Sequence, residues 1–205
     1  MQDYLMTLLG GLAITLQLTA LSLLLGVLLA AGMTWVLERR IPVATQLVQL
    51  WVLIFTGTPL LIQIFLIYYG PGQFEWLKAG PLWPLLKQPW FCAVLALGFN
   101  TAAYSTRLFK GALDAIPAGE VEACRALGFS AGQTLWMKTR HAARRLVPAY
   151  SNEVILVLKG SSLASTITIM DIMGLAQRLN AQTYDTLAVF TVAGGLYLTM
   201  NGLLT

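Results

Sequence analysis

"LLGGLAITLQLTALSLLLGVLLAAGMTWVL" runs from Leu8 to Leu37 without one ionisable side chain. A helix needs about 20 predominantly apolar residues to cross a bilayer, so this stretch is long enough to do so. Its apolar residues do not alternate, which excludes a barrel strand, and only helices and closed barrels satisfy their backbone in lipid. The start "MQDYLMTLLG" carries Asp3 where a secretion leader would be basic, and the run is too long for a cleaved signal, so it reads as a retained first helix. Four more apolar stretches follow, from Val43 to Tyr69, Trp90 to Phe109, Val147 to Met170 and Leu187 to Thr205. The expected fold class is all-α: a polytopic membrane protein of five transmembrane helices in a single domain over 1–205. Composition agrees. The 205 residues are 57% hydrophobic and 11% charged, against about 25% charged in a soluble domain. Cys92 and Cys124 match neither zinc nor redox spacing and read as free thiols.

The loops set the orientation. Arg39 and Arg40 lie between the first two spans, and Arg107, Lys110, Arg125, Lys138, Arg140, Arg144 and Arg145 around the third loop; elsewhere only Lys78, Lys87 and Arg178 fall between spans. By the positive-inside rule the first group is cytoplasmic, which puts the N-terminus outside, and Tyr4, Tyr68, Tyr69, Trp83 and Trp90 near the outer boundary. The chain stops at Thr205 inside an apolar helix with no basic residue to close it, so further residues are expected beyond it.

In the long cytoplasmic stretch, "IPAGEVEACRALGFSAGQTLW" (Ile116 to Trp136) predicts a helix, a turn and a second helix. Pro117 ends the preceding element, Glu120 and Glu122 are expected in a first turn, and Gly128 suits the residue after the C-terminus. Ser130 and Gln133 can form a capping box for the next helix. Ala118, Gly119, Ala123, Cys124 and Ala126 would keep one surface low, as docking to another protein requires, although an ordinary charged loop fits these residues too.

"EACRALG" (Glu122 to Gly128) resembles the EAA signature of the permease subunits of binding-protein-dependent ABC importers. Three further blocks resemble that family in order: "FTGTPLLIQIFLIYYG" (Phe55 to Gly70), "NTAAY" (Asn100 to Tyr104) and "YSNEVILVLKGSSLAS" (Tyr150 to Ser165). The likeness covers nearly the whole chain and is nearest to permeases for polar and basic amino acids; "YYGPGQF" and "SNEVILV" are similar to an arginine system above all. It implies a type I importer permease fold with a periplasmic N-terminus, in a bacterial inner membrane. It also implies that 117–141 is a coupling-helix loop, in which Glu120, Glu122, Ala123 and Gly128 meet the ATPase. Cys124 departs from the signature's second Ala, Thr56 stands where many relatives have Arg, and "KTRH" (Lys138 to His141) replaces an apolar, proline-ended segment. That basic replacement raises the expectation of charge-based, salt-sensitive docking.

Ionisable groups at membrane depth are costly and usually face a cavity, which singles out Glu153 and Lys159. Glu153 with Asn152 would offer a carboxylate and an amide to a guanidinium or ammonium, or else bridge to a basic residue. Lys159 reads as a partner for carbonyls freed near Gly160. Pro59 removes a backbone hydrogen bond, exposing carbonyls that Thr58 and Gln63 could share with a ligand, or simply kinks its span. Asn100 fits either an interhelical hydrogen bond or a substrate contact. Asp171 is placed at the outer end of the fourth span, as an interfacial group or an acidic mouth, and Ser162 belongs to the last family block. Gly10, Gly11, Gly26, Ala30, Gly194 and Gly195 are helix-packing signals. His141, among arginines, reads as a solvated interfacial residue.

The chain has no phosphate loop of the GxxxxGKS/T type, no catalytic set and no metal cluster in its sequence. It is expected to bind no cofactor and no nucleic acid. Resemblance then implies two ATP-binding subunits that use ATP-Mg, a second, homologous permease subunit, a periplasmic solute-binding protein and a basic amino acid as cargo, arginine before lysine, ornithine or histidine. From the residues alone, a secondary transporter or channel using Glu153 as an ion site, or a structural membrane partner, stands as a rival.

Overall fold

The structure is a computed structural model that describes residues 2–204; Met1 and Thr205, the last residue of the expected fifth span, lie outside the described residues. No strand occurs among those residues. The helices are α1 (Gln2–Leu9), α2 (Leu12–Arg39), α3 (Pro42–Gly57), α4 (Leu60–Tyr69), α5 (Glu75–Lys78), α6 (Trp83–Leu86), α7 (Pro89–Asp114), α8 (Ala118–Ala126), α9 (Ala131–Ser161), α10 (Ile172–Thr183) and α11 (Thr186–Leu204). Pro71–Gln73 and Ser162–Ile167 are 3-10 turns.

By length and composition, two helical units can cross a membrane: Asp3–Arg39, and Thr186–Leu204; four can if each bent pair of helices counts as one. The expected third span, 90–109, lies in α7, which is not among them, and the second and fourth expected spans are bent. The stretch 43–69 is two helices with a 109° bend between them at Thr58 and Pro59, a break much sharper than a proline kink within one continuous helix. The stretch 147–170 begins inside a helix that already starts at Ala131, so the helix expected after Ser130 and the expected fourth span are one rod, with Pro148 accommodated inside it. That rod tightens into the 3-10 turn after Ser161 and turns by 48° into α10.

α2 and α7 form the centre of the bundle. The buried positions of α2 are mainly small, namely Thr15, Thr19, Ser22, Gly26, Ala30 and Thr34, recurring every three to four residues. Small residues let helices approach where lipid provides no hydrophobic drive for packing. A Cβ on Gly26 would lie 2.5 Å from Thr101 Cγ2, and one on Gly11 would lie 2.5 Å from the Asp171–Ile172 backbone. Gly194 and Gly195, by contrast, face open space, so the expected packing role there is not met within this chain. One core cluster joins Leu8, Leu158, Ile172, Ala176 and Val189; another joins Leu18, Ile64, Ala93, Ala96, Ala164 and Ile167. The outward faces carry Leu21, Leu24, Leu28, Leu47 and Leu53, all exposed, as a lipid-facing or subunit-facing surface would be.

Candidate functional site

The break in front of α4 begins with chemistry that Pro59 dictates. Phe55 O would normally accept from the backbone N–H four residues on, and that residue is Pro59, which has none. Gln63 Nε2 donates to Phe55 O at 2.9 Å, to Thr58 O at 3.0 Å and to Thr58 Oγ1 at 2.9 Å. Asn100 Nδ2, from α7, donates to the same Phe55 O at 3.1 Å and to Gln63 Oε1 at 3.0 Å. Because the targets are carbonyls, which only accept, the amide orientations are fixed. Every N–H of both amides is thus engaged within the chain, and Asn100 Oδ1 is the atom left over. Thr58 Oγ1 donates to Ile54 O at 2.8 Å. The carbonyls expected to be shared with a ligand are therefore satisfied internally.

Asn100 Oδ1 has a neighbour. Asn100 and Glu153 line one cavity of about 180 Å³ with Leu60, Leu97, Thr101 and Tyr104. Glu153 is 5% exposed, and its carboxylate receives no hydrogen bond or salt bridge among the described residues. Beside it, the buried hydroxyls of Ser105 and Tyr150 lie near one another, and neither completes a hydrogen bond. An uncompensated buried carboxylate is costly, and a cationic ligand offsets that cost.

Other expected site residues go elsewhere. Asn152 is exposed on a different face of α9 from Glu153, because adjacent helical residues are about 100° apart, so it is Asn100 that shares the cavity. Ser162 Oγ donates to Lys159 O at 2.7 Å, closing the 3-10 turn, and Lys159 is exposed. Asp171 is fully buried and caps α10, accepting from Gly174 N at 2.8 Å and from the Tyr197 hydroxyl at 3.3 Å. It is not the interfacial group expected, since α1 and α11 pack over it. Sequence reasoning does not single out Thr101, Tyr104, Ser105 or Tyr150; Tyr104 lies four residues from Asn100 and Tyr150 three from Glu153, the helical spacing that signals a shared face, while Thr101 and Ser105 carry no such signal.

The second feature is α8. Pro117 precedes it, Glu120 falls in the first turn, and Glu122 falls one residue beyond, in the second turn and exposed. The helix ends in a Schellman cap: Gly128 N donates to Arg125 O and Phe129 N to Cys124 O, both at 3.0 Å, with Gly128 at φ +78°, where glycine carries no Cβ penalty. Ala118, Gly119, Ala123 and Ala126 are exposed; Cys124 faces inward and is buried, so it is not part of that low surface. Leu127, 75% exposed, and Phe129 add apolar area beside it. Ser130 and Gln133 then form the reciprocal capping box that starts α9.

Three helices are tied just behind α8. Glu38 accepts from Lys138 at 2.6 Å and pairs with Lys110 at 3.2 Å, while Lys110 also pairs with Asp114. Burial pushes the Glu38 carboxyl up, but the hydrogen bonds and charges of Lys138 and Lys110 outweigh it and hold the group below its ordinary value. His141 lies 3.5 Å from Glu120, linking α9 to α8, and Arg140 stacks over Trp136. Thr139 Oγ1 donates to Leu135 O at 2.8 Å, so all four side chains of "KTRH" are engaged within the chain, and its backbone is continuous helix.

A polytopic bundle with a small-faced helix outside it, and an unsatisfied carboxylate within, matches a described family: residues 22–204 correspond to the binding-protein-dependent transport system inner membrane component. The chain belongs to that family. This inner membrane component is 50% identical, over 204 residues, to the arginine ABC transporter permease protein ArtM of Haemophilus influenzae, covering 100% of this chain and 90% of that protein. It is 51% identical over 206 residues to ArtM of Escherichia coli, covering 100% and 92%. It is 42% identical over 195 residues to the octopine transport system permease protein OccM of Rhizobium radiobacter, covering 95% and 80%. Among solved structures, the crystal structure of an amino acid ABC transporter with histidines matches with a TM-score of 0.88 at 27% identity, over 100% of this chain and 92% of that one. Membership makes the chain a multi-pass permease subunit of the bacterial inner membrane, and decides against the secondary carrier, channel or purely structural partner.

Proposed function

We propose that this permease subunit forms half of the translocation pathway for a basic amino acid, arginine first, in an ATP-driven importer. The observation that carries the reading is Glu153: a buried carboxylate without an intrachain partner, in a cavity it shares with the hydroxyl side chains Thr101 and Tyr104 and with Asn100, whose N–H groups are engaged and whose Oδ1 can only accept. Two acceptors suit a donor-only cation such as a guanidinium. The names of the arginine and octopine permeases similar to the chain support the same cargo class. Thr58 and Gln63 hold Asn100 in place; Ser162 and Asp171 fix the turns between α9 and α10 without facing the Glu153 carboxylate, and Asn152 is exposed on another face of α9.

The chain crosses five times, with α3–α4 and α9–α10 as bent spans and the N-terminus in the periplasm. The gathering of Arg39, Arg40, Lys110, Lys138 and Arg145 at the end that carries α8 supports that orientation. α8 is the coupling helix, through Glu122, Ala123 and its Gly128 cap, with Glu120 tethered to α9. Two ATP-binding subunits supply ATP hydrolysis, a second homologous permease completes the pathway, and a periplasmic binding protein delivers the substrate. Closure of the ATPase dimer draws the coupling helices together and turns the cavity toward the periplasm; its reopening returns the cavity to the cytoplasm.

The test is Glu153→Gln, which keeps shape and removes charge. In proteoliposomes holding the assembled complex, uptake of radiolabelled arginine and lysine should fall more than tenfold, with a smaller loss for any neutral amino acid the system accepts. A variant that assembles and carries arginine at the wild-type rate removes Glu153 from the pathway.

A further inference from the structure

At the end of the bundle that carries α8, a cavity of about 880 Å³ opens between α2, α3, α7, α8 and α9. Its acids are already neutralised, since Glu38 and Asp114 pair with Lys110 and Lys138. Arg40 and Arg125 also line it, and neither has a carboxylate partner among the described residues. Thr45 Oγ1 is buried there without a hydrogen-bond partner, and Gln46 and Gln49, one turn apart on α3, add exposed amides. The lining is thus a converging set of donors with a net positive charge. Next to it, Val43, Leu47, Leu50 and Ile54 recur at helical spacing on an adjacent face of α3 and are exposed, leading from the cavity along the apolar length of that helix.

We propose that this cavity binds the headgroup of an anionic phospholipid of the cytoplasmic leaflet, with Arg40 and Arg125 on the phosphate, Thr45, Gln46 and Gln49 hydrogen-bonding its oxygens or polar head, and the acyl chains along α3. Guanidinium groups form charge-assisted hydrogen bonds with phosphate oxygens, and a basic pocket between helices at the membrane boundary suits such a head. The apolar face is what selects a lipid over a soluble phosphate: a free anion has no use for it. A lipid there would bridge the α2–α3 turn to the coupling helix through Arg125, so its loss would loosen the base of α8. The leaflet follows from the orientation given under the proposed function.

Native mass spectrometry of the detergent-purified permease–ATPase complex, incubated with equal amounts of phosphatidylglycerol and phosphatidylethanolamine, tests the site. The complex should retain phosphatidylglycerol preferentially; Arg40→Gln should weaken retention about tenfold, and Arg40→Gln with Arg125→Gln should abolish the preference. Arg144→Gln removes the same charge outside the cavity and should change nothing. An equal loss with Arg144→Gln, or no preference in the wild type, overturns the proposal in favour of diffuse attraction to a basic surface. Displacement of phosphatidylglycerol by inorganic phosphate overturns it in favour of a soluble anion. Retention is counted on the purified complex and does not depend on which leaflet supplies the lipid, so failure here leaves the orientation and cargo readings untouched.

Discussion

Pro59 takes away one backbone donor, and two side-chain amides from different helices replace it. Gln63 is 5% exposed, and its nitrogen serves both Phe55 O and Thr58 O. Gln63→Leu should therefore leave buried carbonyls short of donors and cost about 1–3 kcal/mol. It should also let Asn100 rotate, so arginine uptake falls along with the melting temperature of the complex. A variant as stable as wild type by differential scanning fluorimetry would remove this account of the break. The proline, the glutamine and the asparagine were each visible in the sequence as polar or helix-breaking residues in apolar runs. Their joint task was not, because Asn100 reaches Phe55 across 45 positions of chain. Glu153 was legible as a charge in an apolar stretch; that Asn100 and not Asn152 shares its cavity depends on the angle between neighbouring side chains and on how α7 packs.

At the scale of elements, α8 shows what local pattern can specify. Proline before it, glycine after it and "SAGQ" beyond it define a short capped helix on physical grounds that need no tertiary contact. A Cβ on Gly119 would meet nothing within 4 Å, so Gly119→Leu fits the isolated chain and obstructs only a docked partner. Gly119→Leu and the exposed Glu122→Lys should both leave insertion intact while lowering ATP-driven uptake at least tenfold, read as transport per ATP hydrolysed; unchanged coupling in both variants would dismiss α8 as the docking element. The ion cluster behind α8 gives a pH signature. Glu38 is held below its ordinary value of 4.5, so its stabilisation is complete above that value and is lost as pH falls through the depressed one. Lys110 is raised above 10.5: burial lowers it, but Asp114 and Glu38 outweigh that effect, so its contribution holds below 10.5. Melting temperatures from pH 7 down to about 3 should fall more steeply for wild type than for Glu38→Gln, which starts roughly 2 kcal/mol less stable. Parallel curves would show that the link contributes nothing.

For the whole molecule, the testable quantity is orientation. Gly132 faces open space, and a Cβ on Gly72 meets only Trp83 at an ordinary 3.7 Å, so cysteine is tolerated at both. With Cys92 and Cys124 replaced, Gly72→Cys should react with a membrane-impermeant thiol reagent in intact spheroplasts, and Gly132→Cys only after lysis; the reverse pattern would invert the topology. The sequence by itself determined the all-α membrane class, the positions of the apolar stretches, the gathering of basic charge at one end and the capped helix, because each rests on residues close together in the chain. Only the tertiary structure decided that the fourth apolar stretch continues the helix that begins at Ala131, since nothing local stops a helix after its cap. It also decided that Asp171 is a buried cap, because α1 and α11 close over it. The pairing of Glu38 with Lys138, a hundred positions away, and the shared cavity of Asn100 and Glu153 were likewise beyond local reading. Both arise where close packing of α2, α7 and α9 on small residues brings side chains together that no periodicity connects.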